Sequence, residues 1–444
     1  MTERSMGTRD GFPYAEIAFD ARGKYDAARL DTVLGTLRTP GITDVVFLSH
    51  GWNNDTRDAR RWYGRYLGLL REEFDAGRVA GIAGRTTAIV AVFWPSKTFA
   101  DAELQPGNAS SLGKTVTTAS VRKQLARLAS ACPDEASKAR VAAAAKLVDR
   151  LEGDVVAQRA FVDMLRGFWV AGSPGSDGLP PTGVARPGDE VLRALAPPVL
   201  DLPGGDRLGG AASTGGAPLA APAGGAASLL GSILNGARNA LNMTTYFMMK
   251  ARAGTVGAQG LATVIARVQD AFPSLEVHLA GHSFGGRLVV SAANALPGPA
   301  SRRVQSLFLM QAAFSHYGLA EKYDGTSDGL FRPVIAGRKV SGPICITHTV
   351  SDKAVGIAYP LASRLGGQVA SGLGDEHDRY GGIGRNGAQK TPEVTPLPLL
   401  SASGRYAFAP GGVYNLDANT VITGHSDICR IEVAHALASM IAAT

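Results

Sequence analysis

Gly281-His-Ser-Phe-Gly285 is the stretch of this chain whose residue types and spacing could do chemistry. Leu275, Val277 and Leu279 alternate as a strand does, and a helix-like run from Arg287 to Leu296 begins almost at once. A strand that passes directly into a helix forces a sharp turn, in which the central residue is strained and its neighbours must lack bulk. Gly281 and Gly285 supply that room. The turn would lift the Ser283 hydroxyl clear of the backbone at the positive end of the helix, with the Phe284 amide beside it as a donor to an oxyanion. A serine hydroxyl is a weak nucleophile, so it needs a base within hydrogen-bond reach and a carboxylate to orient that base.

Both are available later in the chain. Residues 343–350 read as a core strand that ends at Ser351-Asp352-Lys353. That puts the Asp352 carboxylate at the C-terminal edge of a parallel sheet, where open α/β sheets bind ligands. Residues 415–422 read as a weaker strand that delivers His425. His377, in Asp375-Glu-His-Asp378, is the rival base, and Asp378 and Asp427 are rival acids. His278 and His348 lie inside strands and His316 just after one, which suits core or supporting roles. His435 falls within the closing helix.

These residues must be positioned by the elements around them. Residues 14–19, 43–48, 87–95 and 305–310 read as further strands, the last three strongly apolar. Residues 27–37 have helical spacing, and a helix from about residue 57 to 74 could be capped by Asn53, Asn54 or Asp55. From Lys97 to Asn242 no strand is evident, longer than an α/β repeat allows before its next strand. Residues 120–131 and 134–169 instead read as helices, the second with Val141, Ala144, Leu147, Leu151 and Val155 on one face. This segment reads as a helical cap inserted into the core. Residues 171–228, rich in Gly, Pro, Ala and Ser, are expected to be irregular, a possible lid. Leu230, Ile233, Leu234, Ala237 and Leu241 form an apolar helical stripe, which more often packs on a core than lies on a membrane. Residues 244–272 continue mainly as helix, and residues 430–441 close the chain as one. The expected divisions are a core of 1–96 and 242–444 with an insertion of 97–241.

Composition removes several classes. The hydrophobic fraction of 45% suits a globular chain of 444 residues, and the net charge of +7 is spread without a basic block, so nucleic-acid binding has no support. Cys132, Cys345 and Cys429 are odd in number, far apart and without metal-ligand spacing. They read as small buried hydrophobes of a reducing compartment. The N-terminal residues lack the apolar core of a signal peptide and no stretch is long enough to span a bilayer, so a cytoplasmic location is expected, with signal-independent export still compatible. Gly382-Ile-Gly-Arg-Asn-Gly387 fits a dinucleotide pattern but lies in a polar loop without the strand and helix that pattern requires. Gly107-Asn-Ala-Ser-Ser-Leu-Gly-Lys-Thr115 has one residue too many for a P-loop. Neither supports nucleotide binding.

The chain resembles the α/β-hydrolase superfamily. More narrowly, it is similar to a bacterial α/β-hydrolase family of unassigned function through Phe47-Leu-Ser-His-Gly-Trp-Asn-Asn54, Met248-Met-Lys-Ala-Arg-Ala-Gly-Thr-Val-Gly257, Gly281-His-Ser-Phe-Gly285 and Tyr380-Gly-Gly-Ile-Gly-Arg-Asn-Gly387. The likeness covers residues 14–97 and 242–444 and leaves the insertion unexplained. It implies an α/β-hydrolase fold with triad residues in the order Ser283, Asp352, His425. It also implies that the loop after the strand ending near residue 48 completes an oxyanion hole, with Trp52 as second amide donor and His50, Gly51 and His282 in support. The expected activity is a serine hydrolase that cleaves carboxylic esters through an acyl-enzyme, needing neither metal nor organic cofactor. A lipase or phospholipase at a membrane surface, and a hydrolase-like scaffold that binds without catalysis, are the alternatives. The expected partner is a small-molecule or lipid ester. Substrate, acyl-chain length and oligomeric state have no pattern in the sequence.

Overall fold

The computed structural model describes residues 7–97, 116–171, 185–196, 225–297, 302–352 and 380–444. Nine strands form one sheet: β1 (Thr8–Arg9), β2 (Phe12–Ala18), β3 (Asp44–Ser49), β4 (Thr87–Phe93), β5 (Glu276–His282), β6 (Ser306–Met310), β7 (Ile344–His348), β8 (Val394–Pro398) and β9 (Val413–Asp417). Their spatial order is β1-β2-β4-β3-β5-β6-β7-β9-β8. β1 runs antiparallel to β2, and the other pairings are parallel. This is an α/β architecture with a mostly parallel sheet.

Helices on both faces explain why the central strands are apolar throughout. In β3, Val45 and Phe47 join one core and Val46 and Leu48 the other. The alternation of side chains along a strand divides them in this way. The helices are α1 (Ala27–Leu37), α2 (Thr56–Ala76), α3 (Thr118–Ala131), α4 (Glu135–Leu147), α5 (Val155–Ala171), α6 (Gly188–Leu195), α7 (Gly225–Thr255), α8 (Ala262–Ala271) and α9 (Phe284–Asn294), followed by short turns and a closing helix, Ile431–Ala442. α2 and the closing helix cover one face through Tyr63, Tyr66, Leu70, Val433 and Leu437. α1, α7, α8 and α9 cover the other.

Asp55 caps α2, accepting from the amides of Arg57 and Asp58 while the Asp58 carboxylate returns to the Asp55 amide. On the exposed side of this helix, a Cβ at Gly68 would meet nothing within 4 Å. Gly68→Ala is therefore expected to stabilise the protein by about 0.5–1 kcal/mol, because it removes unfolded-state freedom at no steric cost. The readout is the urea midpoint, and a fall would show that this face is covered.

The order of the strands creates the site. After β3 the chain crosses through α2 to β4 on one side, whereas after β5 it crosses through α9 to β6 on the other. β3 and β5 are neighbours, paired from Asp44 with Glu276 to Ser49 with Gly281. The loops leaving their C-terminal ends therefore diverge, and a crevice opens between them.

Several expectations need correction. The single helix expected over residues 134–169 is two, α4 and α5. The break falls at Gly153 and Asp154, where Asp154 accepts from the amides of Val156 and Ala157 and starts a new helix. Val155 is consequently 45% exposed and leaves the apolar face assigned to it. Within the segment expected to be irregular, α6 is helical with Val191, Leu192 and Leu195 buried; Pro187 at its cap and Asp189 and Glu190 in its first turn suit a helix start. β8 was not expected, because Pro396 and Pro398 argue against a strand; it is tolerated as the edge of the sheet, where one side needs no ladder. β9 ends at Asp417, so His425 is delivered by a loop and not by the strand end expected near residue 422. Ile383–Asn386, inside the glycine pattern 382–387, forms one short helical turn and not a plain loop.

Candidate active site

Ser283 stands between β5 and α9 at φ 57°, ψ −125°, a conformation that a residue with a side chain adopts only under constraint. The constraint is tertiary. Its amide donates to the Met310 carbonyl at 3.1 Å, and its carbonyl accepts from the amides of Gly286 and Ala313, each at 3.0 Å. A Cβ on Gly281 would strike the backbone of Gly285 and lie 2.7 Å from the Gly286 nitrogen. One on Gly285 would overlap the Ser49 carbonyl and lie 2.5 Å from that of His50. At Gly51 the β3 loop passes so close that a Cβ would lie 2.9 Å from the Ser283 Cβ. The Phe284 amide, first in α9, and the Trp52 amide of the β3 loop find no acceptor among the described residues. Phe284 follows Ser283 directly in the chain, and Trp52 follows Gly51, which lies against the Ser283 side chain.

His425 brings the remaining parts together. Its Nε2 is 2.8 Å from the Ser283 Oγ and its Nδ1 is 2.9 Å from the Asp352 Oδ2. Since an ionised carboxylate only accepts, Nδ1 carries the proton and Nε2 accepts from the serine hydroxyl. Asp352 is fully buried, and the side chain of His425 is 16% exposed. Two groups support the acid that the sequence did not single out. The Gln311 Nε2 lies 3.4 Å from the Asp352 Oδ2 and donates to the Gly384 carbonyl at 2.8 Å. Gly384 lets the backbone approach, since a Cβ there would be 3.0 Å from the same carboxylate oxygen. The Thr349 hydroxyl binds the Ile422 carbonyl at 3.2 Å and Asn419 at 3.0 Å, tying the acid loop to the histidine loop. Gln311 has φ 41°, and Gly384 belongs to the dinucleotide-like pattern. Gly384 was the available signal in that pattern, and its use is close packing behind Asp352, whereas Gly387 packs on Asn415 at φ 69°.

The rivals fall elsewhere. Asp427 accepts from the Thr423 amide and hydroxyl and pairs with Arg430, holding the loop that carries His425. His377, Asp378 and the P-loop-like stretch at 107–115 lie outside the described residues. His435 is buried against Glu73 at 2.8 Å and the Gly404 carbonyl at 2.9 Å. His316 is buried beside Asn386. His278 forms a second Ser-His-Asp array, 2.8 Å from the Ser306 Oγ and 3.0 Å from the Asp44 Oδ1. All three of its members are fully buried, toward the N-terminal ends of β3, β5 and β6, so no substrate reaches them.

His282 and His50 support the site from below. The His282 Nε2 donates to the His425 carbonyl at 2.8 Å, with the two rings 4.9 Å apart. His50 stacks on Trp94, its Nδ1 donates to the Gly51 carbonyl, and its amide donates to the Tyr63 hydroxyl. Burial pulls His282 down to about 3 and His50 down to about 4, from 6.5. Both are neutral when folded, whereas the unfolded chain protonates them below about pH 6.5. Their contribution is complete above that pH and is lost as pH falls toward 4. Lowering pH from 7 to 5 is expected to cost about 2 kcal/mol for each, seen as a falling urea midpoint that His282→Gln partly flattens. A midpoint independent of pH would mean that water reaches both rings.

Around the elbow, Trp52 packs on Phe284 at 5.7 Å and on Tyr246 at 6.2 Å, an aromatic wall beside the turn that carries Ser283. The stripe that motivates a membrane reading is covered: Ile233, Leu234, Ala237 and Leu241 are buried in the core that α5 and α6 also build, while the Leu230 side chain lies outside the described ones. Among the described residues no helix is long and apolar enough to cross a membrane, and no cluster of His, Cys, Asp or Glu is arranged to hold a metal ion. Cys132 and Cys345 are buried thiols, and Cys429 is half-buried. The chain matches no protein-family model, no curated protein and no solved structure.

Proposed function

We propose that this chain is a serine hydrolase of the α/β-hydrolase fold that cleaves carboxylic esters. One observation carries the reading: His425 bridges Ser283, at 2.8 Å, to a buried Asp352, at 2.9 Å, with the serine held in a strained turn between a strand and a helix. In the proposed reaction the Ser283 Oγ attacks the ester carbonyl while the His425 Nε2 takes its proton. The tetrahedral oxyanion is held by the amides of Phe284 and Trp52, aided by the positive end of α9. His425 then gives the proton to the departing alcohol and an acyl-enzyme is left on Ser283. Water, deprotonated by His425, attacks the acyl carbon and frees the acid. Asp352 keeps the proton on Nδ1 and stabilises the imidazolium that forms. The ring wall of Trp52, Phe284 and Tyr246 favours an apolar group next to the scissile carbonyl.

A fluorophosphonate probe with intact-mass readout tests this. One adduct on the folded wild type, none on Ser283→Ala, and turnover of acyl esters are expected. A folded wild type that takes no adduct, with or without detergent, would overturn the reading and favour a binding scaffold. Ser306 in the buried array is expected to stay unlabelled.

A further inference from the structure

A second feature lies on the same edge of the sheet. A cleft of about 390 Å³ opens between Phe19 after β2, Pro95 after β4 and residues Ser130 to Cys132 at the end of α3, with Arg252 of α7 lining it. Arg252 is 92% buried by its exposure of 8%. It donates to the carbonyls of Pro95, at 2.6 Å, and Ala131. Among the described residues it forms no ion pair. Burial without a carboxylate pulls its guanidinium down to about 10, with only the weak influence of the Cys132 thiol against that.

A buried cation without a counter-charge is costly, and buried charges in proteins are as a rule paired. The Ala131 carbonyl ends α3, so the helix supplies about half a negative charge, and the Pro95 carbonyl adds a dipole. Neither replaces an anion. The other two ionic groups at the cleft are already engaged. Asp20 accepts from the amides of Arg22 and Lys24, and Lys97 pairs with Asp55 and Asp58. A guanidinium has five N–H donors in a planar fork, and two carbonyls do not exhaust them.

We propose that this cleft binds an anionic group, a carboxylate or phosphate, on Arg252. β4 stands two strands from β5, so at the ordinary spacing the site is roughly 10 Å from the elbow across the sheet edge. Ser96 joins the two places: its carbonyl accepts from the Asn53 amide and its hydroxyl from the Asn54 amide, in the loop that carries Trp52. The anion is therefore either the far end of an ester substrate or a free ion beside the oxyanion loop.

The first arm of the test does not depend on hydrolase activity. Thermal unfolding of the full chain is followed in inorganic phosphate and in chloride at equal ionic strength. Phosphate is expected to raise the wild-type Tm saturably. Ser130→Glu places a carboxylate in the cleft while keeping Arg252 and its carbonyl contacts, and it is expected to fold, to melt higher than wild type in chloride and to lose the phosphate response. Arg252→Lys, which keeps the charge and loses the fork, is expected to weaken it. The second arm rests on the proposed hydrolase. A long-chain dicarboxylic acid monoester is compared with its diester, and a substrate-borne anion makes kcat/KM about 10-fold higher for the monoester, a preference that phosphate competes away. A phosphate response with equal turnover of both esters identifies a free ion as the ligand. If phosphate and chloride act alike on the wild type and both esters turn over alike, or if Ser130→Glu responds to phosphate as the wild type does, the proposal is overturned.

Discussion

Ser283→Ala is expected to lower kcat/KM for a carboxylic ester by at least about 10³-fold, with the protein still folded and KM little changed. The loss falls on kcat because the hydroxyl makes its bond only in the transition state. His425→Ala is expected to cost as much, since no other base stands within reach of the Ser283 Oγ among the described residues. Asp352→Asn keeps the shape of the acid and removes its charge, so the imidazole loses the partner that holds its proton on Nδ1; roughly 10⁴-fold is expected. The three act as a unit, so the double variant Ser283→Ala/His425→Ala should be no slower than either single one. Turnover that survives Ser283→Ala would sink the assignment of the nucleophile. Turnover that survives His425→Ala alone would leave Ser283 in place and reopen the base.

Gly285→Ala is expected to cost about 3 kcal/mol or more, and to abolish labelling of Ser283 even in the fraction that stays folded. The added carbon would overlap the Ser49 carbonyl and press on that of His50, so α9 could no longer pack against the end of β3. Those carbonyls cannot yield: β3 is central in the sheet, and the His50 carbonyl also accepts from the Trp94 Nε1 at 3.0 Å. Shifting α9 away would move Ser283 from His425 and the Phe284 amide from the crevice, so stability and reactivity should fall together. Urea unfolding and probe labelling check this side by side. A variant as stable and as reactive as wild type would mean that the elbow is looser than its contacts imply. The contrast with Gly68→Ala, the same change on an open helix face, isolates the packing from the loss of backbone freedom.

Much of this was legible because it is local. Strands β3, β4 and β6 announce themselves as short apolar runs, and the elbow is a strand, a turn and a helix inside the nineteen consecutive residues 276–294. Asp55, Asn53 and Asn54 were indistinguishable as caps from spacing alone, and the backbone at Asp55 decided among them. The break between α4 and α5 was written at Gly153 and Asp154, but a continuous apolar face hid it. β8 failed for the opposite reason: its prolines argue against a strand unless the sheet edge is known.

The sequence by itself marked Ser283 as the candidate nucleophile, gave the expected order of serine, acid and base, and determined an α/β architecture, since each rests on residues within a few positions of one another or on the pattern of successive elements. Only the tertiary structure decided which acid and base meet Ser283. His425 lies 142 residues from Ser283 and 73 from Asp352, and their contact depends on strand order and on loops that bring distant ends together. The same holds for Gln311 and Gly384 behind Asp352, for the sealed array at His278, and for Arg252, which has no carboxylate partner among the described residues. Burial and the absence of a counter-charge are properties of packing, and no window of neighbouring residues contains them.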